Sequence, residues 1–550
     1  MITLLKYLQE IYGIDSSYVY DEIEKLKLKY NSNETLKELD EKDIMLITYG
    51  DSIKGKDKPL KLLNKFLSEN VGDLINIVHI LPMFPYSSDD GFSVVNYLKI
   101  DKKLGSWEDI KTLSKSYKLM FDAVINHISA SSDWFKGYCN GEEEYKNFFI
   151  ECFDDIDYKD VVRPRNLPLY YRYKTRSGDK NLWATFSSDQ LDLNYSNPKV
   201  FIKVLEVLLE YAKNGANFIR LDAVGFLWKE VGTSCIHHRK THLLIKIIRE
   251  VLESCFPNTR LITETNVPHK DNISYFGNGD EAHLVYQFPL PPLTLFTFIS
   301  GNSSKITKWA KSLEKIKLFN NNTYFNFLAS HDGIGIRPVE DILDEDEIAL
   351  MLNNTINKNG RIGYRKNSDG TKSPYELNIN YLDAIADKNA SVDMKVNKFM
   401  ASQFILLSLQ GVPGIYIHSL LGSQNDYKGL EESNINRRIN REKLNYDDLI
   451  HRLNNKDTIS SKVFYKYKEL LKIRKNNASF SPSSKQKVLY LNNNVFALIR
   501  NNDADEILCI VNVTNKEVKV NIEFNGIDLI TGKDFNNRLN PFQYCWVKRG

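Results

Sequence analysis

The sequence predicts an α/β protein: a (β/α)8 barrel with insertions at its catalytic face and a small C-terminal antiparallel β domain. Three observations predict it. Eight short apolar or β-branched runs alternate with helical patterns, and eight such units close a parallel barrel. Four of these runs end in acidic, basic or amide side chains, at the mouth where such barrels keep their active sites. After about residue 479 the pattern changes to alternating strands with Asn-rich turns.

Residues 1–42 read as an N-terminal helical extension. From Met1 to about Asn31 the apolar residues Ile2, Leu5, Leu8 and Ile11, then Val19, Ile23 and Leu26, recur at helical spacing. Glu10 and Asp15 interrupt the stretch before any long apolar run forms, which excludes a signal peptide. The barrel is expected over 43–478, with strands at Ile44–Thr48, Ile75–Leu81, Lys118–Ile125, Asn217–Leu221, Arg260–Thr263, Ala282–Phe288, Tyr324–Ala329 and Val412–His418. One intervening helix is legible in detail. Asn197 is its N-cap and Pro198 its first residue, Ile202, Leu205, Leu208, Leu209 and Ala212 form its stripe, and Asn214-Gly215 ends it. Inserted subdomains are expected at about 134–195 and 337–400, where the intervals are too long for simple loops. Over 479–550 strands are expected at Lys487–Leu491, Val495–Arg500, Glu506–Val513 and Glu517–Phe524.

Composition excludes several function classes. With 42% hydrophobic and 26% charged residues the chain is that of a globular protein able to bury a large core. A balance of 73 basic against 70 acidic residues gives no electrostatic case for nucleic acid or a membrane surface. No 18-residue apolar segment occurs, so a cytoplasmic location is expected. Six cysteines without a C-x-x-C pair read as reduced, buried thiols. No metal and no cofactor are expected, because no loop has the oxygen-rich spacing of a calcium site. His237-His238 reads as part of a loop or of a helix packing element and not as a site, since adjacent residues on a helix point apart.

The segments that carry chemistry are Phe121-Asp-Ala-Val-Ile-Asn-His127, Phe218-Ile-Arg-Leu-Asp-Ala223, Ile262-Thr-Glu-Thr-Asn266 and Leu328-Ala-Ser-His-Asp-Gly333. Taken singly, Asp222 or Glu264 could be a helix cap or surface ion pair, and His127 a structural histidine. Arg220 changes that reading, because it lies two residues before Asp222 on the same strand face and would hold the carboxylate ionised, as a nucleophile requires. Glu264, on the next strand, is placed to protonate a leaving group, and retention of configuration asks for carboxyls about 5–5.5 Å apart.

In order and context these four segments resemble the signature regions of the α-amylase superfamily of glycoside hydrolases and transglycosylases. The resemblance implies Asp222 as nucleophile, Glu264 as general acid/base and Asp332 as the carboxylate that grips sugar hydroxyls. Pro85–Ser93, Leu104–Glu108, Val162–Arg165 and Ile439–Arg441 are similar to sucrose phosphorylases, over essentially residues 43–550. That subfamily implies Asp89 and Arg441 on the 4-hydroxyl at a blind pocket end, His127 and His331 on other hydroxyls, and Phe92 as a platform. It implies Arg165 and Tyr375 at the phosphate and acceptor site. Glu376 departs from the glutamine usual in sucrose phosphorylases. With the Asn434–Lys443 stretch and the N-terminal extension, it looks more like glucosylglycerate phosphorylases.

The function implied is a retaining phosphorylase that takes a small α-glucoside, 2-O-α-glucosylglycerate first, and inorganic phosphate. Sucrose phosphorolysis, and hydrolysis or transglucosylation, are the alternatives on the same fold; an inactive scaffold barrel would have no need for all three carboxylates. A bare Glu376 would repel glycerate unless it orients an arginine or accepts the glycerate hydroxyls, and Arg437 and Arg438 are either partners of the acceptor carboxylate or solvated surface. The oligomeric state is left open.

Overall fold

Eight parallel strands close into a barrel in the computed structural model, which describes residues 2–32, 34–165, 167–319, 322–366 and 371–550. They are β1 (Met45–Thr48), β2 (Ile77–Ile80), β3 (Lys118–Ala123), β4 (Ala216–Leu221), β5 (Arg260–Thr263), β6 (Leu284–Tyr286), β7 (Thr323–Phe327) and β8 (Val412–Tyr416). Neighbours pair in chain order and β8 returns to β1, with Met45 opposite both Gly414 and Ile77. Nearly every strand residue is buried, as strands covered on both faces require. Gly414 is needed for close approach: a Cβ there would lie 2.3 Å from the Phe325 ring inside the barrel.

The expected fold class holds, with one systematic difference. Several predicted runs overshoot at their C-terminal ends: Lys118–Ile125 stops pairing at Ala123, Tyr324–Ala329 at Phe327, and Val412–His418 at Tyr416. Beyond these points the chains splay out of the barrel, so apolarity continues after the ladder has ended. The residues just past the splay are those that face the cavity described below.

The N-terminal stretch is broken at Gly13 (φ +56°) into α1 (Ile2–Tyr12) and α2 (Ser16–Lys29). Leu8, Ile11, Val19, Ile23 and Leu26 are buried. The pair packs on α3 (Pro198–Lys213) and α4 (Arg239–Cys255), the helices preceding and following β4. Lys29 pairs with Glu206 at 2.6 Å, Tyr30 Oη donates to Glu210 at 2.6 Å, and Arg239 pairs with Glu10. In α3 the Asn197 side chain accepts from Lys199 N, and Gly215 (φ +100°) turns the chain into β4.

Two hairpins stand among the loops at the barrel mouth: Tyr170–Thr175 with Gly178–Trp183, and Arg361–Lys366 with Lys372–Asn378. The second carries Tyr375 and Glu376. The C-terminal sheet comprises β9 (Lys485–Asn492), β10 (Val495–Asn501), β11 (Glu506–Asn512), β12 (Gly526–Asp528) and β13 (Tyr544–Arg549), in the order β9-β10-β11-β13-β12. The strand expected at Glu517–Phe524 is not in it, and only Val518–Lys519 pairs, with Arg538–Leu539. β13 takes the place beside β11 because it brings Trp546 to full burial against Phe404 and Phe480. All six cysteines are free thiols, five of them buried. Among the described residues no helix is long and apolar enough to cross a membrane.

Candidate active site

The ends of β4, β5 and β7 bring three carboxylates to one cavity of about 110 Å³. Asp222 follows β4, Glu264 follows β5 and Asp332 follows β7, and all three line it with Asp89, Phe92, His127, Arg165, His331, Tyr375 and Arg437. A space of this size holds several waters and, once they are displaced, one small ligand.

Arg220 organises the floor. Its Nη1 donates to Asp222 Oδ1 at 2.7 Å and to Asp122 Oδ1 at 2.5 Å, and its Nη2 lies 3.9 Å from Glu264 Oε2. Asp122 is fully buried and shared with His79, whose Nε2 is 2.7 Å from Asp122 Oδ2. Glu264 has one firm partner, the Ala223 backbone N–H at 3.1 Å. Burial raises the proton affinity of both Asp222 and Glu264, against the pull of Arg220, and each carboxylate raises it further in its neighbours. Such a pair shares protons. The short bond to Arg220 assigns the charge to Asp222, and the weaker contacts of Glu264 leave the proton there.

Asp332 is held differently. Burial works against its charge, but the guanidinium groups of Arg437 and Arg441 outweigh it and keep the carboxyl far below the usual range. Arg437 Nη1 lies 2.5 Å from Asp332 Oδ1. The same guanidinium makes a two-point bond to Glu376, with Nε to Oε1 at 3.0 Å and Nη2 to Oε2 at 2.9 Å. Glu376 is buried behind Arg437 and does not line the cavity. Its negative charge is therefore spent on orienting a cation at the cavity wall.

At the other end Asp89 accepts from Arg165 Nη2 at 2.8 Å and from Gln190 Nε2 at 3.3 Å. The Phe92 ring stacks on His331, with centroids 4.8 Å apart and planes 5° from parallel, so ring and imidazole form one flat wall. His331 Nδ1 is buried without a partner among the described residues. Both nitrogens of His127 are engaged by protein: Nε2 donates to Phe92 O at 2.9 Å and Nδ1 lies 3.3 Å from Asn126 Nδ2. Burial keeps both rings neutral, His331 down to about 3.

Arg441 approaches the cavity from behind its lining, with Nη2 3.9 Å from Asp332 Oδ1. It lies outside the cavity wall, 2% exposed, with Nη1 2.6 Å from Asp90 Oδ2 and Nε donating to His331 O at 2.7 Å. Asp89 and Asp90 both sit at positive φ (55° and 49°), a turn that gives the two carboxylates different partners. Asp89 meets Arg165 in the cavity, while Asp90 draws in Arg441 and Arg438. The single pair expected at the blind end is thus two pairs side by side. Arg438 is accordingly half-buried and paired with Asp90, not a solvated surface residue.

Several cavity residues escaped the sequence reading: Phe186, Gln190, Phe226, His237, Asn266 and Arg337. His237 and His238 do point apart, but from a loop and not a helix interior. His238 caps α4 by accepting from Lys240 N, while His237 faces the cavity. Near Asn126 the chain supplies its own cation: Lys229 Nζ is buried 2.7 Å from Asn126 Oδ1 and 2.6 Å from Asp192 Oδ2. The signal for Gln190 was its place beside Asp192, in a segment that pairs with His127–Ser129. For His237 and Arg337 no local pattern marks the chemistry.

Residues 73–341 match the α-amylase catalytic domain. Over 549 residues the chain is 43% identical to a glucosylglycerate phosphorylase of Allomeiothermus silvanus, covering 99% of this chain and 98% of that protein. It is 42% identical to a glucosylglycerate phosphorylase of Escherichia coli, covering 98% and 99%, and 30% identical to a sucrose phosphorylase of Streptococcus mutans, covering 72% and 81%. A solved sucrose 6F-phosphate phosphorylase from Thermoanaerobacter thermosaccharolyticum has the same fold, with a TM-score of 0.75 at 23% identity over 88% of this chain and 94% of that one. Identity of this extent along the whole chain, with the acidic residues of all four segments at one barrel mouth, means that the chain belongs to the α-amylase superfamily, in its sucrose phosphorylase subfamily.

Proposed function

We propose that the protein is a retaining glycoside phosphorylase that cleaves 2-O-α-glucosylglycerate with inorganic phosphate to α-glucose 1-phosphate and glycerate. One observation carries the choice of acceptor: Glu376 is bonded at two points to Arg437 and so adds no free negative charge to the cavity. The objection that Glu376 would repel glycerate falls away, and similarity to glucosylglycerate phosphorylases along the whole chain supports the same acceptor.

In this reading an Asp222 oxygen attacks the anomeric carbon as the bond to the glycerate oxygen breaks, and Glu264 gives that oxygen its proton. A β-glucosyl ester remains on Asp222. A phosphate oxygen then attacks the same carbon from the vacated side, its proton passes to Glu264, and the ester bond breaks to leave α-glucose 1-phosphate. Two inversions retain the configuration. Asp332 and His331, with its unpartnered Nδ1, hold ring hydroxyls, and Phe92 is the apolar platform. Asp89 holds the far end of the glucosyl unit, His127 shapes that end through Phe92 O, and Arg441 positions His331 from behind. Arg165 and Tyr375 face phosphate once the acceptor has left. The chain divides into an extension (1–42), a catalytic barrel (43–478) and a C-terminal β domain (479–550), and the enzyme works in the cytoplasm with small-molecule partners only.

The test is release of α-glucose 1-phosphate from glucosylglycerate and from sucrose, with and without phosphate. Phosphate-dependent product from glucosylglycerate is expected. Product from sucrose alone would keep the mechanism and overturn the acceptor, and free glucose without phosphate would make the protein a hydrolase.

A further inference from the structure

We propose that Arg337 and His237 form the clamp that selects an anionic acceptor, with the Arg337 guanidinium and the His237 Nε2–H both meeting its carboxylate. The inference rests on the phosphorylase reading above and adds which residues recognise the acceptor.

Three guanidinium groups line the cavity. Arg165 is taken by Asp89, and Arg437 by Asp332 and Glu376. The Arg337 guanidinium makes no hydrogen bond or ion pair among the described residues, although the residue is half-buried. Burial and the nearby Arg365 lower its affinity for its proton, against the smaller opposing pull of Tyr375, Glu340 and Asp271. A partly desolvated cation with no direct ion pair carries a cost that an anionic ligand removes.

His237 stands beside it, close enough that Arg337 lowers the ring's basicity. Its Nδ1 lies 2.7 Å from the Tyr275 hydroxyl, and its Nε2 is buried with no partner. Tyr275 is fully buried and its hydroxyl has no other hydrogen-bond partner among the described residues. The tyrosine proton therefore goes to Nδ1, which places the imidazole hydrogen on Nε2. Burial holds the ring neutral, with its pKa down to about 4, so this donor persists across the physiological range.

The loop is built to hold that ring. Cys235 and His237 both sit in the left-handed region, at φ +52° and +54°, a conformation that side-chain-bearing residues rarely adopt. His237 N donates to Gly225 O at 3.0 Å. A Cβ on Gly225 would come within 3.1 Å of the Tyr275 hydroxyl and 3.3 Å of His237 Cε1, so only glycine leaves the pair undisturbed. Val162 N donates to Ser234 O at 3.0 Å, tying this loop to the segment that carries Arg165. Arg337 is placed by a separate segment, in which Ile336 N donates to Tyr375 O at 3.0 Å. The two groups thus flank the part of the cavity bounded by Tyr375.

An oxyanion at this clamp could come from the acceptor or from inorganic phosphate, and the experiment separates them. With the full-length protein run in the synthetic direction from α-glucose 1-phosphate, kcat/KM is measured for glycerate and for glycerol, in which a hydroxymethyl group replaces the carboxylate. KM for phosphate is measured in phosphorolysis. In Arg337→Gln the glycerate-to-glycerol ratio should fall roughly tenfold to a hundredfold, as loss of a charged hydrogen bond predicts. Arg337→Lys should restore part of it, and Tyr275→Phe, which removes the proton donated to Nδ1, should lower the same ratio. An unchanged ratio in an enzyme that does use glycerate would overturn this inference alone. A raised KM for phosphate with the ratio intact would assign the clamp to phosphate and also overturn it. A wild-type enzyme that transfers to fructose and not to glycerate would overturn both this inference and the acceptor reading.

Discussion

Arg220 divides the labour between two carboxyls. One guanidinium 2.7 Å from Asp222 and 3.9 Å from Glu264 stabilises charge on the first far more than on the second. In the proposed mechanism the proton held by Glu264 is the one the leaving group needs, and burial lets Glu264 keep it above its ordinary pKa of 4.5. Loss of that proton sets the alkaline limb of kcat/KM. Glu264→Gln should lower turnover of unactivated glucosides by about 10²- to 10⁴-fold, spare α-glucosyl fluoride, and abolish the alkaline limb with that donor. Equal losses on both donors would contradict the acid role. The same scale explains Glu376, a residue that from sequence looks hostile to an anionic acceptor. Its oxygens are occupied by Arg437, which lies 61 positions along the chain.

At the scale of elements, the C-terminal sheet is joined to the barrel by buried groups. Trp546 on β13 is fully buried against Phe404 and Phe480, and its Nε1 donates to Ser408 Oγ at 2.8 Å. Arg500 on β10 is equally buried and, among the described residues, has no carboxylate partner; it donates to the backbone oxygens of Ser408, Ser481 and Ser484. Ser408 therefore anchors the sheet twice, at the end of the helix that leads into β8. The apolar core runs on from the barrel through Phe496, Leu498 and Trp546. Trp546→Ala should lower stability by about 3–5 kcal/mol. Urea unfolding followed by far-UV circular dichroism should keep a single transition at a lower midpoint, whereas separate transitions for sheet and barrel would refute the shared core.

Over the whole molecule, buried histidines set the acid limit. His283, His331 and His418 are each no more than 3% exposed, and burial pushes their pKa values down to about 4, 3 and 3. An unfolded histidine titrates near 6.5, so below that pH the unfolded chain binds protons that the folded one refuses. Stability present above pH 6.5 is lost as the pH falls, and the loss levels off only near the folded values. Each histidine contributes roughly 1.4 kcal/mol per pH unit in that window. Urea midpoints measured from pH 7 to 4.5 should fall steadily, and a flat profile would show that these rings accept protons in the folded state.

Strand number, strand order and the residues at the strand ends were legible because each depends on a local pattern. An apolar run followed within a few positions by Asp222, Glu264 or Asp332 carries its own evidence. The same locality explains the overshoots, since apolarity continues past the point where Ala123 or Phe327 leaves the barrel. What the chain alone determined is therefore the barrel, its catalytic mouth and the carboxylates there. Which partner each charge takes was decided only by tertiary structure. Arg441 goes to Asp90 and not Asp89, 351 positions away, because a left-handed turn gives those neighbouring carboxylates separate partners. Among the described residues the Arg337 guanidinium has no ion pair, and it lines one cavity with His237 because of loops that meet only once the barrel has closed. Charge pairing depends on distances of a few ångströms, and those are properties of the folded chain.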